Sequence, residues 1–363
     1  MRLRVLIAPD KFKGSLEAPA AAAALAQGWH SVRPGDELAV LPMADGGDGT
    51  LAVLAAGRPA SWVTVPTVDA VGNPRLGRYL RAGDTAAVEL AEICGIAGLS
   101  KLDPMGSHTL GLGIVLAAAL RSGARGLVVA LGGSASTDGG AGALSALGAR
   151  LVGEDGRLPP GGRGLTRLVA VRADRLAPVP PDGVRVLVDV QAPLFGPSGG
   201  AFAFGPQKGA DREEMLELDR GLRRLAAVLG TDPDQPGCGA AGGTGYGLAY
   251  WGGRLTPGAP TIGQLVGLPE AVRRADLVLT GEGRFDASSL TGKTCGHVLE
   301  TAARSGVPAL VVAGSIADEM ATAAAGTGLL SLTELAGSAL AAQQDPVRWL
   351  AEAGRQAAEA TTR

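Results

Sequence analysis

The side chains of this protein that could do chemistry are gathered in glycine-rich clusters. Six stand out, at residues 44–49, 132–142, 196–209, 237–247, 252–258 and 281–293. They contain the carboxylates Asp45, Asp48, Asp138, Glu282 and Asp286 and the hydroxyls of Ser134, Ser136 and Thr137. Asp10 and Asp189 add two carboxylates at the ends of apolar runs. Lysine occurs only at Lys11, Lys13, Lys101, Lys208 and Lys293, and all but Lys101 sit beside a glycine cluster or the end of the first apolar run. A glycine turn leaving a strand lets backbone approach a ligand closely, and its N–H groups with the following helix N-terminus favour an anion. Phosphoryl transfer asks for cations around the phosphates, carboxylates for Mg2+, and a group that orients or deprotonates the attacking hydroxyl. The clusters supply candidates for all three. For any single cluster the competing reading is a tight turn with close helix–strand packing.

Several other chemistries are excluded. Residues 287–294 nearly spell a P-loop, with Ala287 for its first glycine, but a segment holding Glu282 and Asp286 separates them from a strand expected to end near Thr280. Gly281-Glu282-Gly283 opens like a dinucleotide fingerprint and lacks the third glycine. His30, His108 and His297 match no metal or triad spacing, and no G-x-S-x-G or H-E-x-x-H segment occurs. Cys94, Cys238 and Cys295 are too few and scattered for a disulfide framework or zinc site, which fits reduced thiols and a cytoplasmic location. The net charge of −2 and the lack of any basic run argue against nucleic acid as the main partner. No run of 18 apolar residues is present, so no membrane helix is expected.

The elements that must position these residues follow from the apolar pattern. Of 363 residues, 46% are hydrophobic and only 3% aromatic, so the core must be built from Ala, Val, Leu and Ile. The 57 glycines follow no Gly-X-Y period and form no linker tract, so the clusters account for much of the excess. Residues 3–8, 37–41, 276–280 and 308–313 read as short buried strands, with helices at 15–29, 294–305 and 335–361. Both ends of the chain therefore signal a parallel α/β sheet. The middle is more mixed. Residues 61–68, 75–81 and 85–90 have the spacing of antiparallel strands, and 126–131 and 184–190 read as further strands. Helices are expected at 109–122, 138–150 and 211–229, with an exposed loop at 153–164 and hinge or lid character in 237–247.

Taken together, the motifs resemble one family along essentially the whole chain. They are Ala8-Pro9-Asp10-Lys11-Phe12-Lys13-Gly14-Ser15, Met43-Ala44-Asp45-Gly46-Gly47-Asp48-Gly49-Thr50 and Gly132-Gly133-Ser134-Ala135-Ser136-Thr137-Asp138-Gly139-Gly140. Phe204-Gly205-Pro206-Gln207-Lys208-Gly209-Ala210, Gly239-Ala240-Ala241-Gly242-Gly243 and Thr280-Gly281-Glu282-Gly283-Arg284-Phe285-Asp286 complete the set. The sequence resembles the bacterial class I glycerate kinases. The resemblance implies ATP- and Mg2+-dependent phosphorylation of D-glycerate to 2-phosphoglycerate. It also implies an α/β fold of two domains, a Rossmann-like parallel sheet from residues 1–60 and 265–363 and an inserted mixed α/β domain at 61–264, with the active site in the cleft between them.

Within that reading, Gly132, Gly133, Ser134, Ser136, Thr137, Asp138 and the following helix N-terminus bind phosphate. Asp189, Lys11 and Asp45 are the catalytic candidates, and Lys13, Lys208, Arg284 and Lys293 the substrate-binding ones. Asp189, Asp45, Glu282 and Asp286 are the candidates for Mg2+. The partner is a small molecule, with no nucleic acid and no membrane, and the sequence is compatible with a homodimer. The chain departs from the family pattern at Thr109-Leu110-Gly111-Leu112-Gly113-Ile114, which loses a hydroxyl and a carboxylate, and at Asp189-Val190-Gln191-Ala192-Pro193-Leu194, which loses an asparagine. These changes leave two rival readings open: a kinase for another small hydroxy acid, or an inactive nucleotide- or metabolite-binding regulator.

Overall fold

Residues 4–7 are Arg-Val-Leu-Ile, and a strand apolar on both faces is stable only where helices cover both sides of a parallel sheet. The computed structural model, which describes residues 2–320 and 328–361, shows this arrangement. Its strands are β1 (Arg4–Ile7), β2 (Glu37–Val40), β3 (Ser61–Val68), β4 (Pro74–Ala82), β5 (Thr85–Glu89), β6 (Gly126–Ala130) and β7 (Arg150–Gly153). They continue as β8 (Gly156–Arg157), β9 (Leu168–Arg172), β10 (Val184–Val188), β11 (Arg254–Pro257), β12 (Leu277–Phe285), β13 (Ala309–Ile316) and β14 (Gly328–Ser331). The helices used below are α1 (Ala18–Val32), α2 (Thr50–Gly57), α3 (Leu110–Arg121), α4 (Ala141–Ala146), α5 (Arg212–Leu229), α6 (Ala240–Tyr250), α7 (Thr294–Arg304) and α8 (Pro346–Ala360).

The fold is α/β and the chain divides into two compact units. The first comprises residues 1–45, 52–59 and 258–363. Its five strands run β14-β13-β12-β1-β2, all parallel. Counted within the unit, that is the doubly wound order 2-1-3-4-5, whose direction of winding reverses between β1 and β12. The second unit comprises residues 46–51 and 60–257. Its six-stranded sheet runs β11-β10-β6-β5-β4-β3, parallel from β11 to β5 and antiparallel from β5 to β3. A small antiparallel sheet, β8-β7-β9, lies within the same unit. The cores are aliphatic, with Trp29, Tyr79, Tyr246 and Phe285 as isolated, fully buried aromatics. Among the described residues, no helix is long and apolar enough to cross a membrane.

Some expected boundaries shift for physical reasons. Strand β12 does not stop near Thr280 but pairs with β13 as far as Phe285. A Cβ at Gly281 would lie 1.9 Å from Val312 O, so glycine is what lets the ladder continue there. The helix expected at 138–150 is only α4, because Arg150 already enters β7. The loop expected at 153–164 contains the β7–β8 hairpin, and Gly161 and Gly162 are buried. The helix expected at 335–361 is three helices, Leu332–Ala336, Ala339–Gln344 and α8. Left-handed Gly337 (φ 78°) ends the first, and Ser338 and Asp345 cap the next two, with a proline in the first turn of α8.

In the first unit, α1 and α8 cross at bare backbone. A Cβ at Gly28 would sit 1.8 Å from Ala351 O, and one at Gly354 would sit 2.3 Å from Leu25 O. Gly28→Ala is therefore expected to lower unfolding stability by about 1–3 kcal/mol through overpacking. A fall in the urea midpoint with unchanged substrate KM checks this.

Candidate active site

In open α/β sheets, ligands lie beyond the carboxyl ends of the strands, at the point where the winding reverses. In the first unit that point is the end of β1 and β12. Asp10 and Lys11 follow β1, Asp45 follows β2, and Glu282 lies near the end of β12. The strand ends are tied together: Asp10 N donates to Gly281 O at 2.8 Å, and Met43 N to Pro9 O at 2.9 Å. The Asp10 Oδ1 accepts from Lys11 N at 2.7 Å. Burial and the neighbouring Asp45 charge raise the Asp10 carboxyl to about 7. Burial also raises Glu282, whose Oε1 has no hydrogen-bond partner among the described residues. The Thr294 hydroxyl, at the start of α7, is buried and acts on the Asp10 carboxyl as a hydrogen-bond donor that lowers its pKa. An unpaired buried oxygen is costly, so Glu282 Oε1 marks a place where a ligand would be stabilising.

Four other expected residues of this unit are placed differently. Asp286 accepts from Ser288 N at 3.0 Å and from Ser288 Oγ at 2.6 Å, and it pairs with Arg284 at 3.3 Å. It caps the short turn Ala287–Leu290, so its oxygens already have partners within its own turn. Lys293 donates to Ser288 Oγ at 2.8 Å. Arg284 and Lys13 are exposed.

In the second unit the parallel strands β5, β6 and β10 end along one edge in the order Glu89, loop 131–138 and Asp189. Asp189 is exposed there. The loop after β6 turns at Gly132 and Gly133, its accessible part, and Ser134 is the next residue. Beyond it the expected donors face inward. Ser136, Thr137 and Asp138 have no exposed surface. The Asp138 Oδ2 accepts from Thr109 N at 2.9 Å, Thr109 Oγ1 at 2.8 Å and Gly142 N at 3.0 Å, and its Oδ1 accepts from Gly140 N at 3.1 Å. A carboxylate already occupies the N-terminus of α4, so that terminus is not open to phosphate. Thr137 Oγ1 accepts from Lys208 Nζ at 3.3 Å, and Ser136 Oγ faces Ser134 Oγ at 3.1 Å. Lys208 is only 2% exposed, and burial lowers its ammonium to about 7 while Asp138 pulls it back up. It therefore supports the loop from inside and does not reach a substrate. The expected hinge or lid at 237–247 is also interior: a Cβ at Gly242 (φ 64°) would lie 2.1 Å from Ser136 O.

Sequence reasoning gave no role to Glu89, Thr109 or Thr294. Glu89 is 2% exposed and accepts from Gly49 N at 2.9 Å and Leu51 N at 3.0 Å, which fixes the 46–51 segment at the start of α2. Its signal was a carboxylate closing the otherwise uncharged strand Thr85–Glu89.

One unit is a doubly wound sheet with carboxylates and a lysine at its switch point, the other has a parallel edge bearing a glycine loop, and both belong to an α/β enzyme class that acts on small molecules. Residues 5–362 match the glycerate kinase family model, and the chain belongs to that family. It is 38% identical over 329 residues to the glycerate kinase of Bacillus subtilis (strain 168), covering 86% of this chain and 85% of that protein. It is 38% identical over 332 residues to the glycerate 2-kinase of Escherichia coli (strain K12), covering 88% and 87%. The crystal structure of a protein assigned as glycerate kinase 2 in Salmonella typhimurium LT2 superposes with a TM-score of 0.83 at 30% identity, covering 100% of this chain and 99% of that one. The chain is accordingly an enzyme of the glycerate kinase type.

Burial raises the Glu89 carboxyl from 4.5 to about 7, against the pull of its two amide donors. An acid whose folded pKa is raised contributes most stability below its unfolded pKa, and loses it as pH rises toward 7. The loss corresponds to about 3 kcal/mol. The melting-temperature advantage of the unmodified protein over Glu89→Gln should therefore shrink between pH 5 and pH 8. An advantage independent of pH would show that burial does not shift Glu89.

Proposed function

We propose that the protein transfers the γ-phosphoryl group of ATP to the 2-hydroxyl of D-glycerate, acting in the cytoplasm and giving 2-phosphoglycerate and ADP. The observation that carries this reading is the pairing of Asp10 with Lys11 at the switch point of the parallel sheet, in a chain of the glycerate kinase family. Relatives named glycerate kinase and glycerate 2-kinase support the acceptor and the product isomer.

Asp10 is assigned as the base. Its carboxylate is held by Lys11 N and the Thr294 hydroxyl and takes the proton of the attacking hydroxyl. Lys11 and Lys293 offset the charge of the acceptor carboxylate and of the transferring group. Ser134 and the backbone of Gly132 and Gly133 receive the nucleotide phosphates. Among the described residues there is no group of three or more His, Cys, Asp or Glu side chains placed to hold a metal. Mg2+ usually takes only one or two carboxylates beside phosphate oxygens and water, so the unpartnered Glu282 oxygen and the neighbouring Asp10 and Asp45 charges fit such an ion. Asp45 and Glu282 are the side chains of the first unit that would hold it. When bound, Mg2+ supplies neutralisation of phosphate charge. The departures at Leu112 and Ile114 do not argue for another acceptor, because both side chains pack in the core of the second unit.

The test is ADP release with D-glycerate, ATP and Mg2+, with the product isomer read by NMR. Asp10→Asn should lower kcat by about 10²–10⁴, the usual contribution of a general base, with little change in thermal midpoint. Turnover of Asp10→Asn within a few-fold of the unmodified enzyme would remove Asp10 from the chemistry.

A further inference from the structure

Lys208 is the one buried cation that the proposed reaction leaves unused among the residues described above. It closes the short turn Pro206–Lys208 and is 2% exposed. Its Nζ donates to Ser136 O at 2.5 Å and to Thr137 Oγ1 at 3.3 Å. A Cβ at Gly242 would come within 2.9 Å of this Nζ, so the left-handed turn Ala241–Gly243 closes the far side of the ammonium. Asp138 is the charged side chain that acts on it.

The hold on Ser136 is passed along the loop. Ser136 N donates to Ser134 Oγ at 3.2 Å, and the two serine hydroxyls are 3.1 Å apart. Ser136 is thus gripped at its carbonyl by Lys208 and at its amide by Ser134. Ala135 N is tied to Cys94 O at 3.1 Å and Gly133 O accepts from Ile96 N at 2.9 Å, so the flanks of the loop are fixed independently. Lys208 holds the Ser136 carbonyl, and through the Ser136 amide it bears on the buried Ser134 hydroxyl next to the accessible Gly132–Gly133 turn.

We propose that Lys208 is a positioning residue: acting through Ser136, it orients the Ser134 hydroxyl and the Gly132–Ser134 backbone to receive a phosphate of the nucleotide. This inference rests on the nucleotide reading of the loop and goes beyond it by naming the interior group that shapes it. Removing the ammonium leaves Ser136 O without its donor and frees the loop to change shape. A structural role alone would lower stability without singling out the nucleotide.

The experiment is calorimetric binding of ADP, with KM values for ATP and D-glycerate, for the unmodified chain, Lys208→Met, Ser134→Ala and the double variant. Lys208→Met should weaken ADP binding and raise the ATP KM by about ten-fold or more, as expected for loss of a charge-assisted hydrogen bond. The D-glycerate KM should stay within about two-fold, since the acceptor makes no use of this loop. The two substitutions should be strongly non-additive, because both act on the same hydroxyl. If Lys208→Met does not fold, Thr137→Val decides, since it removes the second acceptor of Nζ and should weaken ADP binding by about two- to five-fold. Unchanged ADP affinity in Lys208→Met, or in Thr137→Val if that variant must decide, overturns the proposal, as does additivity with Ser134→Ala. An unmodified chain that binds ADP but does not phosphorylate D-glycerate overturns the acceptor assignment and leaves the Lys208 test readable. One that binds no ADP overturns both.

Discussion

Asp138 is a carboxylate with no exposed surface, and it accepts four hydrogen bonds. Two come from Thr109, at the entry to α3, and two from the N–H groups of Gly140 and Gly142 around the start of α4. A single negative charge thus satisfies amide donors at the beginnings of two helices, where the helix dipoles favour it. Thr109 extends the arrangement, because its hydroxyl also accepts from Ala143 N at 2.9 Å. The loop after β6 has little freedom left once its last residue is held this way. The turn from the loop into α4 and the approach of Thr109 to it follow from keeping that charge fully bonded, while Lys208 and Gly242 enclose Ser136 and Thr137.

The two units solve the same problem at parallel strand ends with different residues. In the first, Asp10 and Lys11 follow β1 and Glu282 lies in β12, so charge gathers where the winding reverses. Burial and the neighbouring Asp45 charge raise the Asp10 carboxyl to about 7, the combination expected where charges are crowded at a strand end. In the second unit, the corresponding edge is capped. Glu89 neutralises amide donors at Gly49 and Leu51, and Asp138 neutralises those of α4. Only the Gly132–Gly133 turn of the loop stays accessible. One edge is therefore rich in partly unsatisfied charge and the other in satisfied charge.

Much of the fold was legible because continuous apolar runs such as residues 4–7 and 126–130 have few stable placements besides a covered parallel sheet. The antiparallel ribbon β3–β4 was legible from its length and turn spacing. Errors arose where glycine has two meanings. Gly281 and Gly283 read as a turn, yet they lie inside β12, because glycine can also mark close approach within a ladder. The same ambiguity made 237–247 look like a hinge. In the site, residue types were legible and directions were not. Nothing in the order Ser134-Ala135-Ser136-Thr137-Asp138 says that all of these polar side chains are buried. That is decided by Thr109, Lys208 and Gly242, which are remote in sequence.

The glycine excess takes on a different meaning in this light. A Cβ at Gly132 would lie 2.3 Å from Gly47 Cα, one at Gly200 would lie 2.8 Å from Gly239 O, and one at Gly247 would lie 2.4 Å from Gly139 O. Four of the glycine clusters in the second unit are therefore pressed backbone against backbone. Such contacts leave no room for side chains, and they bring peptide groups close enough for buried charges to reach several at once. Lys208 and Asp138 can each hold more than one segment because glycine has brought the segments together. The glycines mainly build a rigid support, and the phosphate-facing surface is the small part of it that remains uncovered.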